Sequence, residues 1–407
     1  AMMIASAFAM MPMVARAAEG TFYMYGDWNL GAPGNDYLTG INGYVDTNGI
    51  TGWGNPEDEY IIFTGSFSDY CGDHYAYIYK VETAGDPNTH PENPANLGPI
   101  ATRTFTPVST PHYMGSYCSG HDNAFYVDDT GIYYGASPGY GGIHHWDFDW
   151  NDMGWEVSTP APVGAQTLAR NPYTGEWWTG LANRQLYKWD GSSWVYQFTY
   201  PDLGGDHHDG LEIVGNSLFV SDMTSDVIIQ YRLDESGNVI DPPDTPYNTF
   251  TYTTPAYRNV ECMGYGPNRH IWVSGWNSYT IYELGGGLLG LSLIPDQCAF
   301  TGEAFESFDL DDYAVGVPPF TWTYSGNVNL DVNIDAENVV TVTYPEGWTG
   351  SETITFTVTD SFGITAAGDA TFTVCPVPVV GDIRDQTAPF EPFDLDDYLS
   401  GIDLTLV

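Results

Sequence analysis

The sequence predicts an all-β protein in which a β-propeller of roughly five to seven blades is followed by a β-sandwich. The chain has 46 glycines, 27 prolines and 15% aromatic residues, a composition typical of short strands joined by many turns. A strand pattern recurs at intervals of roughly forty to seventy residues as far as residue 295, and strongly alternating segments follow it. With 407 residues and 43% apolar content, the chain can bury a large core.

The propeller pattern is clearest between His207 and Leu233. Two apolar runs, 211–214 and 217–220, flank a Gly-Asn turn, and a third run follows at 227–233. Similar third strands, each with an aromatic residue near its end, occur at 76–81, 142–149, 184–190, 226–233 and 279–284. A four-stranded sheet cannot cover its own faces, so neighbouring repeats must pack against one another in a ring. We expect the strand at 21–25 to close this ring against the last repeat, near 279–291.

These repeats resemble β-propellers of the NHL and YVTN type, including gluconolactonase-like ones. The resemblance covers residues 21–294 and implies a fold rather than an activity, because propellers carry many unrelated functions. Five repeats are visible in the sequence, and six or seven blades also fit it. We assign residues 21–295 to the propeller.

The segment after residue 295 has a different pattern. Its alternating stretches are 320–326, 330–335, 338–345, 352–360 and 369–374, and the motif FDLDDY begins at both Phe308 and Phe393. The run 344–360, YPEGWTGSETITFTVTD, resembles the Ig-like or cadherin-like repeats of large bacterial and archaeal surface proteins. That resemblance implies an Ig-like β-sandwich over 296–376 and the start of a second repeat over 377–407.

Residues 1–20 form an apolar N-terminal segment that contains the small-residue stretch Ala-Arg-Ala-Ala. The apolar run is shorter than the ~20 residues of a membrane span, and it resembles a secretory signal. Such a signal predicts an extracellular or cell-surface location. In the alternative, the segment is retained for assembly, as in pilin-like subunits. Its apolar side chains would then pack against neighbouring copies: Met2, Ile4, Phe8, Met11 and Val14.

The chain carries 53 acidic and 10 basic residues, a formal net charge of −43. A surface of this charge repels phosphate backbones, which argues against nucleic acid as a partner. It attracts cations instead, and calcium is the cofactor that the sequence suggests. In the alternative, the acidic surface only provides solubility.

The five cysteines are interpreted as those of an exported protein. Cys298 and Cys375 flank the predicted sandwich, so we expect a disulfide between its first and last strands. Cys71 and Cys118 lie in similar contexts, YCGDH and YCSGH, and form a second expected pair. Cys262 then remains, either buried or paired between subunits.

Histidine and carboxylate residues occur where the first strands of several repeats begin. His121, His207, His208 and Glu261 hold such positions, which line one mouth of a propeller channel, and imidazole with carboxylate suits a divalent metal. The gluconolactonase-like propellers that the repeats resemble hold an axial metal mainly through carboxylate and amide groups, so the histidines depart from that pattern. In the alternative, these groups satisfy loop backbone at the mouth of the ring.

The carboxylates of the DLDDY motif form a second candidate site. Asp309, Asp311 and Asp312 are candidate calcium ligands at a domain junction, as carboxylates are in cadherins. In the alternative, the aspartates cap a turn while the aromatic and leucine side chains of the motif pack inward.

Zincin HExxH and redox CxxC patterns are absent from the sequence. We therefore expect an extracellular structural or adhesive protein, a homo-oligomeric subunit of a filament, surface layer or large adhesin. The alternative is a secreted metal-dependent propeller enzyme, a lactonase or polysaccharide lyase. A carbohydrate-binding protein is the third hypothesis, because surface tryptophans stack on sugars, whereas tryptophans at repeat positions usually pack between blades. The tryptophans concerned are Trp146, Trp150, Trp155, Trp177, Trp178 and Trp189.

Overall fold

The fold is known from a computed structural model. The structure describes residues 20–21, 23–30, 37–66, 71–87, 89, 101–108, 110–118, 124–135, 141–205, 207–223, 225–234, 236–251, 260–275, 280–285, 289–316, 319–360, 365–377, 379–380 and 399–400. Regular structure in these residues consists of β-strands and two short 3-10 helices, Pro267–Arg269 and Leu310–Tyr313, which confirms the predicted all-β class. Within the same residues, no helix is long and apolar enough to cross a membrane.

The chain divides into two compact units. Unit 1 comprises 1–290, 315–318 and 360–364, and unit 2 comprises 291–314, 319–359 and 365–407. The main division, after residue 290, lies near the predicted boundary at residue 295.

Unit 1 begins with β1 (Gly20–Thr21) and β2 (Tyr23–Asn29) and continues with five sheets. Sheet 1 contains β3 (Tyr37–Asp46), β4 (Asp58–Ser66), β5 (Cys71–Ala84), β6 (Thr102–Pro107) and β7 (His112–Cys118). Sheet 2 contains β8 (Phe125–Asp128), β9 (Gly131–Gly135), β10 (Ile143–Trp146) and β11 (Asp152–Val157). Sheet 3 contains β12 (Ala169–Arg170), β13 (Trp177–Gly180), β14 (Gln185–Trp189) and β15 (Trp194–Thr199). Sheet 4 contains β16 (His208–Val214), β17 (Ser217–Asp222), β18 (Val227–Arg232) and β19 (Asn248–Thr251), and sheet 5 contains β20 (Val260–Gly266), β21 (His270–Gly275) and β22 (Thr280–Gly285).

Strands that are consecutive in the chain pair as antiparallel neighbours in each of these sheets, except that β7 pairs with β5 and not with β6. Short turns bring about this order. Between β16 and β17, Gly215 has a φ of +57°, the left-handed conformation that a two-residue hairpin turn requires, and Val214 pairs with Ser217 on either side of it. The Gly-Asn turn predicted from the sequence is therefore confirmed.

Neighbouring sheets share apolar cores, because each sheet carries buried side chains on both faces. The cores join sheets 1 and 2, sheets 2 and 3, sheets 3 and 4, and sheets 5 and 1. Examples, in that order, are Ile62 with Tyr134, Tyr133 with Trp177, Trp178 with Tyr231, and Trp272 with Phe63. The first strands contact one another in cyclic order, β3, β8, β12, β16, β20 and again β3.

The N-terminal strand pairs with sheet 5, as the sequence predicted. Strand β2 runs antiparallel to β22, with Tyr23 opposite Gly285 and Asn29 opposite Thr280. The preceding strand, β1, pairs instead with β19 of sheet 4, where Gly20 is opposite Phe250. The first residues of the chain described by the structure thus connect to the last two sheets of unit 1.

Glycines allow the first strands of sheets 1 and 5 to approach closely. A Cβ atom on Gly43 of β3 would lie 1.9 Å from the Cα of Gly266 in β20. No side chain fits at this distance, so the contact between these two strands depends on glycine.

The remaining strands are β23 (Leu289–Leu291), β24 (Gln297–Phe300), β25 (Phe308–Asp309), β26 (Ala314–Gly316), β27 (Thr321–Ser325), β28 (Asp331–Ile334), β29 (Val339–Thr343), β30 (Gly350–Thr359), β31 (Thr365–Cys375), β32 (Val379–Val380) and β33 (Leu399–Ser400). In unit 2 they form sheet 6, with the order β24-β31-β30-β27, and sheet 7, with the order β25-β29-β28, while β32 pairs with β33. Alternation along β30 buries Ile354, Phe356 and Val358 on one face. Leu310 and Val340 are fully buried as well, and the predicted alternating stretches are thereby confirmed as strands.

Candidate functional site

A buried carboxyl group lies where three first strands of unit 1 meet. Glu212 of β16 is 3% exposed and accepts hydrogen bonds from Asn42 Nδ2 (3.2 Å), from the backbone N–H of Tyr265 (3.0 Å) and from that of Ile213 (2.9 Å). Burial raises the pKa of Glu212 to about 7, although these bonds lower it. The group therefore titrates near neutral pH, but its burial keeps a substrate from reaching it.

A second buried network connects sheets 3 and 4. The Thr167 hydroxyl lies 2.7 Å from Nε2 of His208, and Nδ1 of the same ring lies 2.9 Å from the Tyr200 hydroxyl, which donates to Asp222 Oδ1. Because Tyr200 donates to the carboxylate, it accepts from Nδ1–H, and Nε2 accepts from Thr167. Burial, followed by the charge of His207, lowers the pKa of His208 to about 3, so the ring is neutral.

A hydroxyl bonded to an imidazole is also how a catalytic nucleophile and its general base are connected, but this network has no space for a substrate. All four side chains that form it are at most 2% exposed. Thr167 also accepts a hydrogen bond from the backbone N–H of Gly180, and Gly180 packs so tightly on His208 that a Cβ there would lie 1.9 Å from Nε2. No room for an attacking or reacting group is left, and the network holds two sheets together.

A third network joins sheet 1 to sheet 5 around the carboxylate of Glu283. Arg103 binds both carboxylate oxygens, with Nε to Oε2 at 2.7 Å and Nη2 to Oε1 at 2.8 Å, and His270 Nδ1 lies 2.7 Å from Oε1. Asn268 Nδ2 donates to the same oxygen at 3.0 Å. Burial raises the pKa of Glu283, but the bonds with His270 and Arg103 outweigh it and hold the pKa below its usual range.

Of the three predicted histidine ligands, the structure describes His207 and His208, and it does not bring their rings to a common centre. His208 belongs to the buried network, whereas Nε2 of His207 lies 3.2 Å from Asp209 Oδ2. His121 and the side chain of Glu261 lie outside the described residues. Across the described part of the chain, no group of three or more histidine, cysteine, aspartate or glutamate side chains is arranged to hold a metal.

The aspartates of the DLDDY motif have structural partners. Asp309 accepts the backbone N–H of Asp311 (2.9 Å) and caps the 3-10 helix, while Asp311 accepts Trp322 Nε1 (2.8 Å) and Asn338 Nδ2 (3.1 Å). Asp312 is exposed. The turn-capping alternative describes Asp309, whereas Asp311 binds the side chains of Trp322 and Asn338, and calcium binding stays a hypothesis.

The cysteines lie in three different settings. The Sγ atoms of Cys298 and Cys375 are 3.6 Å apart, so the structure contains thiols at this pair. Cys71 and Cys118 are direct backbone partners in β5 and β7, and their side chains lie outside the described part. Cys262 is buried, with its Sγ 3.0 Å from the Ser274 hydroxyl.

The tryptophans considered for sugar binding differ in how deeply they are buried. Trp146, Trp177 and Trp178 belong to the cores between sheets, and Trp150 stacks on His112 with ring centroids 4.1 Å apart. Trp155 on β11 is 52% exposed. Trp189 packs partly buried at the edge of a core.

Two features were not predicted from the sequence. The buried acids Glu212 and Glu283 could have been noticed as single charges inside apolar strands, LEIV and IYEL. The pentapeptide GASPG at 135–139 matches the GxSxG pattern of hydrolase elbows. It follows β9 and precedes another antiparallel strand, and the proline after its serine lacks the N–H that would help to form an oxyanion hole, so it does not support a hydrolase. Residues 136–140 lie outside the described part.

No family model matches the sequence, and no curated protein matches it. Among solved structures, the chain is similar to a humanized mutant of the Chaetomium thermophilum Polycomb Repressive Complex 2 bound to the inhibitor GSK343, with a TM-score of 0.31 and 10% identity. It is also similar to apo ctPRC2 in an autoinhibited state, with a TM-score of 0.30 and 10% identity. Both matches cover 62% of this chain and 52% of the other, about half of the other chain's length. Similarity at this level carries no inference about function.

Proposed function

We propose that unit 1 is a five-bladed β-propeller and unit 2 an Ig-like sandwich. Five successive sheets of four or five strands, the cyclic contacts of their first strands and the pairing of β2 with β22 support the propeller. For unit 2, the support is two sheets of alternating strands and a buried apolar core.

On this basis we propose that the protein is an extracellular structural or adhesive component of a cell-surface assembly. The observation that carries the proposal is the use of the ionisable groups of unit 1. Glu212, His208 and Glu283 each bind residues of a neighbouring sheet and are at most 3% exposed, so they belong to the buried framework instead of facing a ligand. The charged residues of the chain are mainly acidic, with 53 acidic and 10 basic residues and a net charge of −43.

Surface location is tested on intact cells that produce the protein. Brief protease treatment followed by peptide mass spectrometry should release peptides of units 1 and 2 before those of a cytosolic marker. Gentle extraction should yield particles larger than a 44.8 kDa monomer. Peptides that appear only after lysis, together with monomeric protein in the soluble fraction, would contradict the proposal.

The apolar segment is tested in the same extracts. Aspartate in place of Phe8 and Met11 should reduce particle size if the segment packs between copies, whereas an exchange of Asp27, an exposed residue of β2, for asparagine should not. The segment itself lies outside the described residues. Unchanged particles in the Phe8 and Met11 variant would exclude its part in assembly.

Carbohydrate binding is a second candidate function, and it rests on the surroundings of Trp155. The exposed indole lies beside His144, with ring centroids 4.9 Å apart, and His144 Nε2 pairs with Asp152 at 2.8 Å. A flat apolar face next to a donor and an acceptor suits a neutral sugar. Affinity electrophoresis through neutral polysaccharides should show retardation that Trp155→Ala abolishes and Met153→Ala, an equally exposed change on the same strand, preserves. Equal migration of wild type and Trp155→Ala would remove this candidate.

A further inference from the structure

Unit 2 contains a pair of thiols on β24 and β31, two neighbouring strands of sheet 6. Strand β24 runs parallel to β31, with Cys298 opposite Thr373 and Phe300 opposite Cys375. Cys298 and Cys375 are therefore diagonal neighbours on one face of the sheet, and their Sγ atoms are 3.6 Å apart. The residues between them in register, Ala299 and Val374, point into the core and are buried.

We propose that this pair forms a disulfide and that this bond, called the clasp below, prevents residues 298–375 from extending when unit 2 is under tension. A disulfide has a sulfur-sulfur distance of about 2.05 Å, so the sulfurs must approach by roughly 1.5 Å, a distance that side-chain rotation can supply. Both thiols lie on the outer face of the sheet, so closing the bond leaves the apolar core unchanged.

The backbone around the pair is held in place on both sides. The carbonyl oxygen of Cys375 accepts the backbone N–H of Thr301 at 2.8 Å and its hydroxyl at 3.0 Å. At the start of β24, the Asp296 carboxylate accepts the backbone N–H of Thr371 at 2.5 Å. These bonds keep the two strands in register and the thiols within reach of each other.

The reaction needs an oxidant that is itself a disulfide, such as oxidised glutathione. The thiolate of Cys298, which is the more exposed of the two, attacks one sulfur of the oxidant and releases its other half as a thiolate. The thiolate of Cys375 then attacks Sγ of Cys298 in this mixed disulfide and releases the second half. The two cysteines lose two protons and two electrons in total, and the oxidant becomes two thiols.

The mechanical consequence follows from the position of the pair. The cysteines are 77 residues apart and lie on the first and last strands of sheets 6 and 7, so tension that enters before Cys298 and leaves after Cys375 passes through the disulfide. The intervening residues cannot then extend. The mechanical role of the clasp rests on the proposed structural function. The formation of the disulfide does not depend on that function.

The bond is tested on the full chain incubated with oxidised glutathione, alkylated and digested without reductant. A cross-linked peptide pair containing Cys298 and Cys375 is expected. It should be absent in Cys298→Ser and in Cys375→Ser and present in Cys262→Ala, which controls for the loss of an unrelated cysteine. Complete alkylation of both Cys298 and Cys375 in the wild type would overturn the proposal.

The clasp is tested by stretching single full-length molecules by their ends. Reduction should add an extension of about 26 nm, the contour length of 77 residues, and Cys298→Ser should show it without reductant. The same increment in oxidised and reduced wild type would refute the clasp. A bond that forms in a protein found inside cells would instead refute the surface function and leave the clasp intact.

Discussion

Replacing Glu212 by glutamine should change the stability of unit 1 more favourably at alkaline pH than at acidic pH. The folded-state pKa of about 7 lies above the value of 4.5 for an exposed glutamate, so the fold favours the protonated form. Stability from this group is fully present below the unfolded pKa and is lost as pH rises through the folded pKa. Glutamine carries no charge and so avoids that loss. Its amide NH2 replaces an oxygen that accepts from Ile213 or from Tyr265, and the cost of that lost hydrogen bond is the same at both pH values.

The magnitude follows from the two pKa values. A difference of about 2.5 units corresponds to about 3.4 kcal/mol when the group is fully ionised in both states. At about pH 8 the ionised carboxylate should cost about 3.3 kcal/mol relative to the neutral side chain, and at about pH 5 about 0.8 kcal/mol. The advantage of the variant should therefore grow by about 2.5 kcal/mol between these two pH values.

Urea unfolding of wild type and Glu212→Gln at both pH values measures this difference, with hydrogen exchange in β16 to assign it to unit 1. Subtracting the free energy of unfolding of the wild type from that of the variant removes the contribution of the other acidic groups, which titrate in both proteins. Asp244→Asn, an exposed change in the same unit, serves as a control and should give no pH-dependent difference. An equal advantage at both pH values, or a loss of stability at alkaline pH only, would refute the reasoning.

Three further predictions concern other buried contacts. Arg103→Met should destabilise unit 1 by about 3–5 kcal/mol because it leaves Glu283 buried without its main cation. In thermal unfolding, the double variant with Glu283→Gln should recover most of the lost stability. No recovery would show that the loss comes from the packing of Arg103 and not from its charge. Gly43→Ala should disrupt the contact of β3 with β20 and speed hydrogen exchange in both strands at least tenfold, and unchanged exchange would contradict the close approach. Asp311→Ala should lower the stability of unit 2 by about 1–2 kcal/mol equally with calcium and with a chelator, whereas an effect seen only with calcium would favour the cadherin-like interpretation.

Local patterns predicted most of the strands. The alternation in β30 and the Gly-Asn turn before β17 both act over a few residues, where side-chain period and turn conformation are properties of the local sequence. The pairing of β2 with β22 was also predicted, because the sequence pattern places one strand at 21–25, before the first repeat, and the last repeat near 279–291.

The candidate sites were less predictable. His207 and His208 are adjacent in the sequence, yet their imidazoles contact different groups, and His208 joins a network with partners from sheets 3 and 4. Nothing in the spacing of Thr167, Tyr200 and His208 specifies that network. Whether a polar side chain is free to bind a metal depends on which donors and acceptors the fold brings within about 3 Å of it.

The sequence by itself determined the all-β class, the repeats and the change of pattern near residue 295, because these depend on periodicity and turn chemistry along the chain. Only the tertiary structure decided that Glu212 and Glu283 are buried, which residues bind them, and that the Cys298 and Cys375 thiols lie 3.6 Å apart. These contacts join residues as far as 180 positions apart. Their formation follows from how sheets pack, and packing depends on all the strands together.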